Sequence, residues 1–257
     1  MTFDFTGKTV VLSGAASGMG LLFAQNFAAL GGNVVMCDVN ESVLLQKAEQ
    51  INEQGAGRAV GILCDVRDYA QVCAARDCAV SKFGRIDVMV NFAGGTAVRM
   101  CGVDREAHPE FPDVPIEVYD WGIDVNLKGP FYFAHAVLAQ MREQKSGLII
   151  NIGSITGAEG DGYGMDYPTS KAGLMYGLTK SIAQFGAKYG IRCVCISPGP
   201  VLTRAAMAAM KTPLGRAADP QEIIDLCLFV ASDKGQFING ENIMIDGGRN
   251  AMGRYTQ

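Results

Sequence analysis

The sequence predicts an α/β protein: a doubly wound parallel sheet of about seven strands with helices on both faces. Three observations predict it. Short β-branched runs alternate with longer amphipathic stretches along the chain, and the runs are nearly continuous in apolar residues, as strands covered on both faces are. No repeat, low-complexity segment or Pro/Ser-rich linker divides the 257 residues, so a single domain spanning 1–257 is expected.

In order, the first strand is read at 8–13 and runs into a glycine-rich turn and a helical pattern. Strands follow at 33–38, 59–65, 86–92, 148–154, 191–197 and 243–246. Amphipathic helices fill 41–54, 68–83, 118–141 and 172–188 between them. Residues 95–119 carry Pro109, Pro112 and Pro115 and are read as a loop. Ligands of such folds bind beyond the carboxyl ends of the strands, so chemistry is sought there.

Composition excludes several classes. The 49% hydrophobic and 19% charged residues are those of a compact fold rather than a disordered chain. A formal charge of −4, with no Lys/Arg cluster, argues against nucleic acid as a partner. No stretch is apolar for long enough to span a bilayer, and the N-terminal residues do not read as a signal peptide; a cytoplasmic location without membrane contact is expected. Eight cysteines lie scattered with no C-x-x-C pair, so neither a disulfide framework nor a metal site is suggested. Cys193 and Cys195 alternate onto one strand face as buried thiols.

The turn after the first strand reads Ser13-Gly14-Ala15-Ala16-Ser17-Gly18-Met19-Gly20. Glycines there let backbone approach a pyrophosphate at a helix N-terminus. Asp38 ends the second strand 24 residues after Gly14, near the spacing expected of the acid that holds an adenosine ribose. A 2′-phosphate beside that carboxylate would cost up to about 4 kcal/mol at about 4 Å and an effective dielectric of about 20, so NAD is expected over NADP. The alternative makes Asp38 an N-cap for the helix after Asn40.

Further along, Tyr167-Pro168-Thr169-Ser170-Lys171 opens a helical stretch, and the spacing of four sets Tyr167 and Lys171 on one face. A free phenol, with a pKa of about 10, is only about one part in a thousand ionised at neutral pH; a neighbouring cation lowers that value. Ser154 ends the apolar strand before it, where its hydroxyl could hold a reacting oxygen. A Tyr-x-x-x-Lys pair alone is more often a surface pair; beside a dinucleotide site and a strand-end serine that reading recedes.

From Gly7 to Gly248 the chain resembles the short-chain dehydrogenase/reductase family, whose domain is of the Rossmann type. The family's glycine pattern matches Gly14, Gly18 and Gly20, its Asp-Val element Asp65-Val66, and its Asn-Asn-Ala-Gly element Asn91-Phe92-Ala93-Gly94, with phenylalanine replacing the second asparagine. Its catalytic tetrad falls on Asn126, Ser154, Tyr167 and Lys171, with gaps of 28 residues from Asn126 to Ser154 and 13 from Ser154 to Tyr167. Pro198, Gly199, Val201 and Thr203 match its nicotinamide-side turn, and Asp246-Gly247-Gly248 fits near the end.

The resemblance implies hydride exchange between NAD and a secondary alcohol or ketone, with a sugar, polyol, hydroxy acid or steroid as substrate. It makes Tyr167 the general acid/base, has Ser154 hold the oxygen, and gives Lys171 the nicotinamide ribose. Asn126 would fix a water linking Lys171 to solvent, or else cap or kink the helix in 124–129. Ser17, Met19, Asp38, Asp65, Val66, Asn91, Ala93 and Gly94 join the glycines as expected cofactor contacts.

Residues 95–119 are longer than the family's usual connection and 203–213 shorter than its usual lid, whose Met207 and Met210 suit an apolar wall. Arg99, Arg105, His108, Arg204 and Lys211 lie in these segments, either as solvated charges or as contacts for an anionic substrate group. Residues 118–141 and the helix after Lys171 are where the family pairs subunits, so a homotetramer or dimer is implied, with 251–257 reaching a neighbour or fraying. A 3-oxoacyl thioester reductase and a non-catalytic nucleotide sensor are the competing readings; the second should lack the Tyr/Lys pair.

Overall fold

The computed structural model describes residues 3–103, 109–210 and 212–252. Arg105, His108, Lys211 and residues 253–257 lie outside them. The first half alternates strictly: β1 (Thr9–Ser13), α1 (Gly18–Ala29), β2 (Asn33–Asp38), α2 (Glu41–Glu53), β3 (Arg58–Leu63), α3 (Tyr69–Phe83) and β4 (Val88–Asn91). After it come α4 (Ala97–Met100), α5 (Ile116–Ile123), α6 (Gly129–Gln144), β5 (Gly147–Ile152), α7 (Thr156–Glu159), α8 (Asp166–Ala172), α9 (Thr179–Gly186), β6 (Ile191–Pro198), α10 (Pro220–Ala231) and β7 (Asn242–Ile245).

All seven strands pair in parallel in the order β3-β2-β1-β4-β5-β6-β7. Alternation along each strand divides the core. Val10 and Leu12 of β1 face Phe23, Phe27, Leu44 and Cys227 from α1, α2 and α10, whereas Val11 faces the layer holding Val72, Phe133, Met141 and Ile182 from α3, α6 and α9. Both faces are thus covered, as the apolar strands require. Cys193 and Cys195 are both fully buried on β6, and burial pushes their thiols up, Cys195 to about 11.

The sheet order reverses between β1 and β4, and there the loops leaving the two strands diverge into a crevice. The crevice is narrow at its base: a Cβ on Gly14 would lie 2.7 Å from the Ala93 nitrogen, at a backbone φ of +70° that also favours glycine.

Three departures from the sequence reading have simple causes. The described residues of this range, 95–103 and 109–119, are not a featureless loop, because Pro115 takes the N-cap position of α5 and Pro112 lies in the first turn of a 3-10 segment, Phe111–Asp113. Proline opens helices as readily as it interrupts them. The single helix read over 118–141 is α5 and α6 joined through a π-helical turn, Asp124–Lys128. A second π-helical turn, Gly173–Leu178, links α8 to α9. Finally, β5 stops at Ile152, so Ser154 stands beyond the strand rather than on its last residue.

Candidate active site

The N-terminus of α1 faces the crevice as an open anion site. Ser17 is its N-cap in extended conformation, without a side-chain cap bond, and no acid occupies the first turn to compete for the amides. A Cβ on Gly20 would run into the Gly14 carbonyl oxygen, so helix and turn can close this tightly only with glycine there. Asp38 stands at the end of β2, with one carboxylate oxygen accepting from the Ala16 N–H at 3.0 Å and the other from the Asn40 N–H at 3.0 Å. It ties the glycine turn to its own strand. The N-cap of α2 is Asn40, whose side chain accepts from Val43, so the capping alternative for Asp38 is overturned.

The remaining cofactor positions fall around the same crevice with unequal freedom. The Asp65 carboxylate is gripped by Arg67, at 2.6 Å to its guanidinium, and that pairing holds its carboxyl below the usual range. Val66 is buried against Gly129 at the start of α6. Asn91 donates to Asn151 at 2.8 Å, and Asn151 in turn donates to Thr179 at 3.0 Å, a buried polar line beneath the β4–β5 seam. Phe92, the departure from the family pattern, packs its ring 5.6 Å from that of Phe23 and extends the core instead. Ala93 donates to Ser13 Oγ at 3.3 Å. Gly199 packs against Asp246 after β6, Val201 is buried and bridges to Ala218, and Thr203 folds its N–H onto the Val201 carbonyl at 2.7 Å. Thr203 caps no helix; Arg204 is the residue before the 3-10 segment Ala205–Ala209.

Across the crevice the four tetrad residues come together from three elements. Asn126 sits in the π-helical turn, fully buried, and donates to the carbonyls of Gly122 at 2.8 Å and Gly95 at 2.9 Å while accepting from the Gly95 N–H at 3.0 Å. Bonding to a carbonyl four residues back while reaching a second chain segment accompanies the π-helical turn in which Asn126 sits. Ser154 donates to Thr156 Oγ1 at 3.2 Å and accepts from the Thr156 N–H at 3.2 Å, and its hydroxyl is near enough to favour the Tyr167 phenolate. Tyr167 and Lys171 share a face of α8, with Pro168 in its first turn, and Lys171 Nζ lies 5.6 Å from the phenol ring centre. Lys171 is buried and donates to the Ile152 carbonyl at 2.7 Å.

The electrostatics differ from the sequence expectation. Burial pushes the Tyr167 phenol above the ordinary tyrosine value, and it is the Ser154 hydroxyl and the charges of Arg204 and Arg99 that pull it back. Burial also holds the Lys171 ammonium down to about 8. In the protein alone the amine therefore gives up its proton before the phenol does, and no longer offers a cation when the phenol titrates.

Sequence reasoning missed Asp166, buried beside Tyr167, whose carboxyl is raised by burial and lies against Gly122 of α5. An acid next to the tyrosine was visible, but its burial depends on α5. It also missed Asn151, whose signal was a lone amide inside an apolar strand.

Comparison with known proteins agrees with this geometry. A family model described as enoyl-(acyl carrier protein) reductase matches residues 14–250. The chain is 38% identical to trans-4-hydroxycyclohexanecarboxylate dehydrogenase of Sinomonas cyclohexanicum, covering 97% of this chain and 95% of that protein. It is 35% identical to D-threitol dehydrogenase of Mycolicibacterium smegmatis, over 96% and 95%. The crystal structure of a 3-oxoacyl-[acyl-carrier protein] reductase with bound NAD from Brucella melitensis superposes with a TM-score of 0.84 at 29% identity, covering 95% of this chain and 92% of that one. The glycine turn, the open helix end and the Ser-Tyr-Lys cluster thus lie in a chain that belongs to the short-chain dehydrogenase/reductase family, as an NAD(H)-dependent oxidoreductase acting on CH–OH groups.

Proposed function

We propose that this chain interconverts a secondary alcohol and a ketone with Tyr167 as the proton-transfer group. The observation that carries the reading is the meeting of Tyr167, Ser154 and Lys171 at the mouth of the crevice that the glycine turn closes. The residues present fit the dinucleotide: an uncapped helix end for the pyrophosphate, and the Asp38 carboxylate for the ribose hydroxyls. Ser17, Met19, Val66, Gly94, Pro198, Val201 and Thr203 would complete the contacts. When bound, NAD would supply a hydride acceptor for the carbinol carbon. Ser154 holds the substrate oxygen while Tyr167 takes the hydroxyl proton. Lys171 would hold the ribose hydroxyls, and Asn126 holds the Gly95 turn in place beside it.

The substrate is a sugar, polyol, hydroxy acid or steroid, in keeping with the alcohols named for the relatives. A 3-oxoacyl thioester is the second reading, favoured by the NAD-bound reductase among the solved structures. The chain would work in the cytoplasm as a homodimer or homotetramer built on α6 and α9. Among the described residues no helix is long and apolar enough to cross a membrane.

The test is NADH formation from a panel of secondary alcohols, hydroxy acids and sterols, beside NADH oxidation with 3-oxoacyl thioesters. Turnover of the alcohols supports the first reading; turnover confined to the thioesters replaces it with the second.

Replacing Asp38 by Ala should raise KM for NAD at least tenfold. It removes the expected ribose contact and also frees the Ala16 amide that the carboxylate holds. Initial rates with varied NAD and NADP check this: the NAD/NADP preference should shrink, and an unchanged ratio would mean that Asp38 only braces the turn.

A further inference from the structure

We infer that Thr179 is a positioning residue for Lys171: through the second π-helical turn, its hydroxyl fixes the register in which the lysine meets the sheet. The inference rests on the proposed role of Lys171 at the cofactor ribose and deepens it.

The helix that carries Tyr167 and Lys171 does not run on as a plain α-helix. From α8 it passes through the π-helical turn Gly173–Leu178 into α9, and Thr179 closes that turn. Thr179 gives two donors to one carbonyl: its N–H and, at 2.7 Å, its hydroxyl both reach the Leu174 oxygen, five residues back. The hydroxyl oxygen also accepts from Asn151 Nδ2 at 3.0 Å, and Asn151 accepts from Asn91 at 2.8 Å. Thr179 and Asn151 are fully buried, where a polar group left unpaired is destabilising. Asn151 precedes Ile152, whose carbonyl accepts from Lys171 Nζ at 2.7 Å. Lysine and threonine thus dock on neighbouring residues of β5.

A straight α-helix could not make both contacts. Thr179 lies eight residues after Lys171, and at about 100° per residue the two would point about 80° apart around the axis. The wider π turn takes up that offset: Lys171, Met175, Thr179 and Ala183, each four residues from the last, are all buried. The same turn lies under the Ser154 loop. A Cβ on Gly157 would lie 2.6 Å from Met175 Sδ and 2.9 Å from the Ala172 nitrogen, and one on Gly153 would lie 2.8 Å from Met175 Cγ. A helix rotated about its axis would therefore disturb the lysine and the serine loop together. Single π turns within helices are rare and recur at functional sites. Here Thr179 supplies the donors that hold the turn open.

Thr179→Val keeps the shape and deletes the hydroxyl, leaving the Asn151 amide the Cys193 sulfur at 3.6 Å. With a secondary alcohol it should lower kcat about tenfold to a hundredfold, the effect of moving a site group by about 1 Å, and raise KM for NAD. Thr179→Ser, which retains the hydroxyl, should recover most of the loss. Ile182→Ala, a cavity in the buried face of α9, controls for stability alone: Tm should fall while most of kcat is kept. A valine variant with wild-type kcat, or a control that loses as much, would overturn the assignment. Crystal structures separate this failure from that of the reaction. Should the wild type oxidise no alcohol, an Nζ that has left the Ile152 carbonyl in the valine variant still supports the positioning, and an Nζ in place ends it. Should the valine variant not fold, deletion of Tyr176, exposed within the π turn, decides. Threonine then follows lysine by seven residues, which in a plain α-helix falls about 20° short of two full turns. The shortened chain should lose the π turn, keep both contacts and stay active; a deletion variant that fails to fold, or folds without activity, would overturn the register.

Discussion

Replacing Tyr167 by Phe should lower turnover of a secondary alcohol about a thousandfold while leaving the fold and NAD binding nearly intact. The variant deletes one hydroxyl from a half-buried ring whose packing on α8 is otherwise unchanged. General acid/base groups contribute about a hundredfold to ten-thousandfold, and no second group in the cluster can take over. Ser154 is a far weaker base, and Lys171 is committed to the Ile152 carbonyl at 2.7 Å. The pH dependence follows from the same proton. Oxidation needs the phenolate and reduction the phenol, so the oxidation rate should climb with pH where the reduction rate falls. Because the Lys171 amine, held down to about 8, titrates beside the phenol, the limb belongs to the pair rather than to either group. Steady-state rates in both directions, with circular dichroism and NADH fluorescence as controls, check this. Near-normal turnover in a folded variant would remove Tyr167 from the mechanism.

How much of this was legible beforehand depends on how local each feature is. The glycine turn and Asp38 are written in a strand, a turn and the end of the next strand, so spacing alone locates them. Strand positions were readable because both faces are buried and the apolar runs are continuous. Asp65 was matched by motif, yet its carboxylate is held by Arg67, two residues on, a competition the motif does not encode. The hydrogen bonds of Asn126 in its π-helical turn require the Gly95 backbone from another segment. The acidity of Tyr167 was misjudged for the same reason: helix spacing gives the proximity of Lys171, but only the assembled fold gives the burial that raises the phenol and depresses the amine.

That depressed amine yields the second large effect, because Lys171→Met should abolish useful activity and stabilise the cofactor-free protein at once. An ammonium whose ordinary value is 10.5 and which burial holds down to about 8 costs the folded state about 3 kcal/mol at neutral pH. Met fills similar volume without that cost, and forfeits only the bond to the Ile152 carbonyl, worth about 1 kcal/mol. A net gain of about 2 kcal/mol should raise Tm by about 5 °C in a chain of this size. The sign with pH is fixed. Above 10.5 the amine is neutral folded and unfolded, and the wild type carries no penalty. As pH falls from there toward 8 the unfolded chain takes up a proton that the folded chain refuses, so wild-type stability drops; below 8 the deficit is constant. The Tm difference between variant and wild type should therefore grow as pH falls from 10.5 to 8 and then level off, in scans without NAD. A variant no more stable than wild type at neutral pH would mean that the buried ammonium is already compensated without cofactor. The lysine would then be a structural residue rather than one kept, at a cost in stability, for the reaction.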